Sequence, residues 1–206
     1  MAREGTPASA ARRRPVPGGL QPATVHQLKA TLSGVRPPIW RRLEVQSSST
    51  LRKLHAVLQI AFAWDDSHLH EFQVGARRLG RPDVKDGWAE PGDTENENGT
   101  TLSQVMRRKG ARLLYVYDFG DSWEHEIVVE GIVPAEPNVR YPRCLDGRRA
   151  SPPEDCGGAW GYAELLRVLS DPRHEEHAER REWLGHGFDP ERFDLAAINR
   201  ALTRAR

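Results

Sequence analysis

Three histidines, two cysteines and a crowd of carboxylates stand at spacings that permit chemistry. His68 and His70 are two apart in the run His68-Leu69-His70-Glu71-Phe72, and His125 lies within Trp123-Glu124-His125-Glu126-Ile127. On a strand, residues two apart share a face. His68, His70, Phe72 and Val74 then form one row, and Trp123, His125, Ile127 and Val129 another. Imidazoles placed this way can grip one metal ion, and a thiolate can complete its four ligands. The candidate metal ligands are therefore His68, His70, His125, Cys144 and Cys156, and zinc or another divalent metal is the cofactor they would take. Their spacing matches no named zinc pattern, so the plainer reading stays open: core histidines donating to backbone carbonyls or to Asp118 and Asp121.

Two segments concentrate the remaining polar chemistry: Tyr117 to Ile127 (YDFGDSWEHEI) and Tyr141 to Tyr162 (YPRCLDGRRASPPEDCGGAWGY). Such mixtures of Trp, Gly, Pro and carboxylates force particular turns and place polar groups at a surface. Asp118 and Asp121 flank Gly120 and suit turn amides, while Glu124 and Glu126 point away from His125. Cys144 and Cys156 allow three readings: a structural loop, thiolates for the histidines, or a redox pair if their Cα atoms come within about 7 Å. Glu154 and Asp155 precede a helix, where carboxylates favour the dipole. His174 and His177 lie in His-Glu-Glu-His on a charged helix that reads as a solvated face. No H-E-x-x-H motif is present.

The elements that must position these groups can be read from periodicity. Val25 to Leu32 and Ile39 to Val45 suit two strands, the second with Ile39, Arg41, Leu43 and Val45 on one face and Trp40, Arg42 and Glu44 on the other. Thr50 caps a helix from Leu51 to about Phe62, whose Leu51, Leu54, Leu58, Ala61 and Phe62 make one buried stripe. His68 to Val74 reads as a strand, and Asp83 to Gly99 as a long acidic loop. Thr101 caps a short helix ending near Lys109-Gly110. Arg112 to Phe119 and Trp123 to Val133 form the clearest hairpin. Helices follow at Tyr162 to Leu169, Glu175 to Leu184 and Leu195 to Leu202. The expected fold class is α+β: a single compact domain, residues 24–206, with a mixed or antiparallel sheet packed against several helices.

Composition narrows the function classes. The 206 residues carry 30 basic and 29 acidic side chains, for a net charge of +1, which disfavours a chain that coats nucleic acid through global charge. No apolar run approaches the roughly 20 residues of a membrane span, and the first residues carry no apolar signal core. A cytoplasmic protein with reduced thiols and no membrane partner is expected. Residues 1–23, with Arg12-Arg13-Arg14, read as a disordered basic tail. Nucleic acid could meet that tail, Arg41-Arg42 or Arg107-Arg108-Lys109, with Trp40 and Trp64 available for stacking.

At these motifs the chain resembles the plasmid open-reading-frame-three-like family, named from a root-inducing plasmid and including a passenger protein of an insertion element labelled TnpR. The resemblance rests on Pro38-Ile39-Trp40-Arg41-Arg42, Leu51 through Leu54-His55, His68 to Phe72, the two segments above, Leu169-Ser170-Asp171-Pro172, and Asp189-Pro190 with Phe193-Asp194. It spans about Val25 to Leu202 and implies a compact α+β domain, with no catalytic residue to carry over. The label implies a resolvase, but a serine recombinase needs a nucleophilic Ser in a Tyr-x-Arg-x-Ser context near its N-terminus. The nearest string here is Tyr141-Pro142-Arg143-Cys144, mid-chain and ending in Cys.

The functional expectation is an intracellular binding or accessory module, associated by resemblance with mobile elements, for a protein or small-molecule ligand. Its cleft is assigned to Trp64, His70, Asp118, Asp121, Trp123 and His125, closed by the cysteine loop. The alternatives are a metal-dependent hydrolase or nuclease using the His/Cys/Asp cluster, and a nucleic-acid-binding partner of a transposase.

Overall fold

The computed structural model describes residues 23–81, 94–185 and 187–205; the expected tail and most of the Asp83 to Gly99 segment lie outside them. The fold is α+β, built on one eight-stranded mixed sheet. Its strands are β1 (Thr24–Leu32), β2 (Trp40–Gln46), β3 (His70–Val74), β4 (Arg77–Gly80), β5 (Thr94–Asn96), β6 (Arg112–Tyr117), β7 (Trp123–Pro134) and β8 (Arg143–Arg148). They lie in the order β5-β4-β3-β6-β7-β1-β2-β8, antiparallel except for the β4–β5 pair.

Register decides which side chains meet. His70 pairs with Tyr117, which pairs with Trp123; Phe72 pairs with Tyr115, then His125, then Leu32. Both rows run across the inner face, where these residues are buried and the intervening Glu124 and Glu126 are exposed. The alternation expected along β2 and β7 is present, with Arg41, Leu43 and Val45 inward.

The helix α1 (Leu51–Phe62) covers this face. Thr50 caps it, its hydroxyl accepting from Lys53 N at 3.2 Å, and Ala63 ends it in the left-handed region. Leu51, Leu54, Leu58 and Phe62 are all but inaccessible, each contributing about 1.5–3 kcal/mol of burial. The remaining helices are α2 (Leu102–Val105), α3 (Gly158–Ser170), α4 (His177–Trp183) and α5 (Leu195–Arg204). On the outer face, Arg42 pairs with Glu130 (2.6 Å) and Arg143 with Glu44 (2.5 Å), while Lys29 and Arg42 lie over Trp40.

Several expectations need correction. His68 precedes β3 instead of belonging to it, so it does not share a strand face with His70. Thr94–Asn96 is a strand where a loop was expected, α2 ends at Val105, and the cysteine segment contributes the edge strand β8. The edge position explains the last of these: Arg143, Leu145, Asp146 and Arg148 remain accessible, so β8 has little apolar alternation to read.

Candidate metal centre

Five side chains from α1, β3, β6 and one loop converge at one end of the inner face. His55 and Gln59 lie one turn apart on α1, Asp66 follows the helix, His70 opens β3, and Tyr115 projects from β6. The hydrogen bonds of His55, Gln59, Asp66 and Tyr115 form a closed ring with a single direction. Asp66 N donates to Gln59 Oε1 (3.0 Å), which orients the amide so that Gln59 Nε2 donates to the Tyr115 hydroxyl (3.0 Å). The hydroxyl therefore donates to His55 Nδ1 (2.8 Å), and His55 Nε2–H donates to Asp66 Oδ1 (2.7 Å). His55 is thus a neutral imidazole, held at about 4 by burial first and by the neighbouring His70 second. Burial also drives the Tyr115 hydroxyl well above its ordinary value.

His70 lies against this ring. Its imidazole stacks on that of His55, centroids 3.5 Å apart and planes 10° from parallel, and its Nε2 meets Glu97 Oε2 at 2.8 Å. Glu97 is completely buried, and its Oε1 has no hydrogen-bond partner; Arg52 Nη1 stands 3.8 Å away. A buried carboxylate oxygen left unmet costs on the order of 1–3 kcal/mol or more. Asp66 supplies a second carboxylate from a strained position, φ +56°, with its side chain partly open to solvent. Ligand atoms of His55, Asp66 and His70 all lie within 4.8 Å of one another. Ligands bound at about 2.1 Å to one ion stand at most about 4.2 Å apart, so small rotations suffice to close on a cation.

A second cluster sits at the rim. His68 Nε2 approaches Asp155 Oδ1 (3.2 Å) and Glu154 Oε2 (3.5 Å), and His68 Nδ1 stands 3.7 Å from Asp118 Oδ1. These are loose contacts, and Nε2 completes no hydrogen bond. Asp118 Oδ1 accepts from Gly120 N (2.9 Å), the turn role expected of it. Asp118 and Asp155 both adopt positive φ, as does Ser122. Glu154 also accepts from the Tyr117 hydroxyl at 3.1 Å and from Asp65 N at 2.8 Å.

Between the clusters lies an aromatic floor. Trp64 stacks on Tyr117 (5.1 Å) and meets Trp123 (6.0 Å) and His125 (5.2 Å). His125 is wholly buried, edge-on to Phe62 at 4.5 Å, with neither ring nitrogen hydrogen-bonded; burial pushes it down to about 3. Of the expected cleft residues, Trp64, Trp123 and His125 are therefore core, His70 belongs to the inner cluster, Asp118 to the rim, and Asp121 accepts from Gly157 N.

The expected ligand set is separated. His70 and Cys144 stand on β3 and β8, five strand steps apart, or roughly 24 Å. Cys144 is buried against Asn199, whose Oδ1 accepts from Cys144 N at 2.9 Å, and its thiol is pushed up to about 11 by burial. Cys156 is raised to about 12, again by burial first and then by Asp121; both cysteines are free thiols. The two signature segments do meet. Gly157 N donates to Asp121 Oδ2 (3.1 Å), and a Cβ on Gly158, at φ +67°, would stand 2.5 Å from Asp121 O. The glycine pair lets α3 begin directly against the hairpin turn.

The sequence profile described as "plasmid pRiA4b ORF-3-like protein" matches residues 24–197. The chain belongs to this family. It is 39% identical over 181 residues to the uncharacterized protein y4hQ of Sinorhizobium fredii, covering 87% of this chain and 91% of that one. A crystal structure of a protein of unknown function, MM3350 from Methanosarcina mazei, superposes with a TM-score of 0.76 at 37% identity, covering 86% of this chain and 97% of that one. Shared plasmid-family membership thus accounts for the motifs without assigning them a reaction.

Sequence reasoning passed over His55, Gln59, Asp66, Glu97 and Tyr115 as site residues. The signal for two of them was present: His55 and Gln59 fall four apart between Leu51 and Phe62, on the flank of the apolar stripe. Glu97 stands in an acidic, Asn-rich stretch with no periodicity to mark it as buried. The residues expected to meet nucleic acid differ in exposure. Arg41 and Trp64 are buried, and Arg42 is engaged by Glu130, whereas Arg107 to Lys109 are exposed. Among the described residues no helix is long and apolar enough to cross a membrane.

Proposed function

We propose that this member of the plasmid family is a divalent-metal-binding accessory module. His55 Nε2, Asp66 and His70 supply its ligands, with Glu97 completing or orienting the set. The observation that carries this reading is Glu97: a fully buried carboxylate with one unmet oxygen, beside two stacked imidazoles. Imidazole nitrogens with carboxylates suit zinc and neighbouring transition ions. Such an ion would add positive charge where Arg52 alone faces two carboxylates. Coordination through His55 Nε2 would require the other tautomer, with the single ring proton moved to Nδ1, so His55 itself would give up no net proton. Asp66, open to solvent on one side, provides the entry path.

The test is titration calorimetry of zinc into chelator-stripped protein. One ion per chain is expected, and Glu97→Gln should weaken binding about 10–100-fold. Binding that is absent, or unchanged in both Glu97→Gln and His70→Ala, would overturn the reading.

A metal-dependent hydrolase is the second reading, favoured by the half-exposed rim cluster beside this centre. It requires zinc- or manganese-dependent cleavage of bis-p-nitrophenyl phosphate that His68→Ala removes while metal binding persists. Cleavage unchanged in His68→Ala would dismiss it.

A further inference from the structure

At the C-terminus of α1 a cavity of about 480 Å³ opens between the helix end, the Ala150–Pro153 loop and α5. It lies within the range of small-molecule sites. Phe62, Pro152, Leu184, Phe188, Phe193 and Ile198 make its walls chiefly apolar. One wall is different. Arg41, only 3% exposed, reaches it from the inner face of β2.

Arg41 is a buried cation that no carboxylate pairs with among the described residues. Its Nε donates to Ala61 O (2.8 Å), and Nη1 to Trp40 O and Arg148 O (2.9 Å each). Nη2 donates to Ser151 Oγ at 3.2 Å. These contacts use four of the five guanidinium protons and leave one on Nη2. Its Cζ lies over the Phe62 and Phe193 rings, at 5.0 and 5.1 Å from their centroids. Asp194 also borders the cavity, but its carboxylate is engaged by Ala197 N (2.8 Å) and by Arg192 (3.5 Å). Burial lowers Arg41 to about 10, which still leaves it charged at neutral pH.

A buried charge without a counter-ion is costly, and a preorganised guanidinium is suited to a planar carboxylate. The shape of the cavity adds an apolar requirement to that ionic one. We propose that this cavity binds a small apolar carboxylic acid, its carboxylate facing Arg41 and its hydrocarbon body lying between Phe188, Phe193 and Ile198. The site is independent of the metal centre and makes no use of its residues.

The experiment compares octanoate with octanol, molecules of similar chain that differ in charge, by calorimetry on the full chain. Octanoate should bind with a Kd on the order of 100 µM, and octanol at least about tenfold more weakly. Arg41→Met should remove that preference. Because this substitution also strips donors from three carbonyls, Ala197→Phe provides a second test by filling the cavity from α5 while leaving Arg41 in place. It should abolish octanoate binding with the circular dichroism spectrum retained. Equal affinity for acid and alcohol, no octanoate binding below about 1 mM, or undiminished binding in Ala197→Phe would each overturn the proposal.

Discussion

Two regions along α1 solve the problem of buried polarity in opposite ways. In the first, His55 and Gln59 enter a closed hydrogen-bond ring beside buried Glu97, an arrangement rich in acceptors and carboxylates. In the second, Ala61 O and the Phe62 ring receive Arg41, a cation surrounded by carbonyls and apolar rings. The first is short of positive charge and the second of negative charge. Charged groups in a core are normally paired, so each region points to a ligand of the sign it lacks. A single amphipathic helix thereby separates a cation-seeking region from an anion-seeking one.

The sharpest way to break this comparison is to remove Arg41. Arg41→Met should destabilise the fold by about 3 kcal/mol in urea denaturation, because several carbonyls lose their donors at once. A loss within 0.5 kcal/mol or so would mean that those contacts are replaced by water and that the cation is dispensable for folding.

Next in size is a pH effect from the aromatic floor. His125 in the folded chain sits at about 3, below the ordinary value of 6.5. The unfolded state therefore binds more protons between those values. Stability is complete above about pH 6.5 and falls as the pH drops towards 3, with a His125 contribution of about 2 kcal/mol already lost at pH 5. His125→Phe keeps a ring against Phe62 and Trp64 and should flatten this part of the profile, measured as urea midpoints from pH 5 to 8.

The smallest effect falls on the ring itself. Tyr115→Phe leaves His55 Nδ1 without its donor and Gln59 Nε2 without its acceptor, and should cost about 1–2 kcal/mol. Because it also frees the His55 tautomer, it should change the affinity for zinc, measured by calorimetry. An unchanged affinity would show that the ring does not set the His55 tautomer that the ion meets.

How much of this could be read from the chain depends on whether a group's role is local. The α1 cap at Thr50, the β6–β7 hairpin and the inward alternation of Arg41, Leu43 and Val45 follow from neighbouring residues, and they stand as expected. The same logic groups His68 with His70, and there it fails, because β3 begins only at His70 and the preceding chain turns His68 towards Asp118 and Asp155. The partners of His70 come from α1 and from Glu97, 27 positions away, and no local period encodes that meeting. Cys144 illustrates the reverse error. Its sulfur looked like ligand chemistry, but sheet order carries it to the far edge beside Asn199.

The most direct measurement of the central claim is X-ray absorption at the zinc edge on protein loaded with one equivalent of zinc. The account predicts a shell of nitrogen and oxygen only, at about 2.0–2.2 Å, with the outer-shell scattering of two imidazoles. A sulfur at about 2.3 Å would place the ion at Cys144 or Cys156 instead, and a sample that retains no zinc would contradict the metal centre altogether.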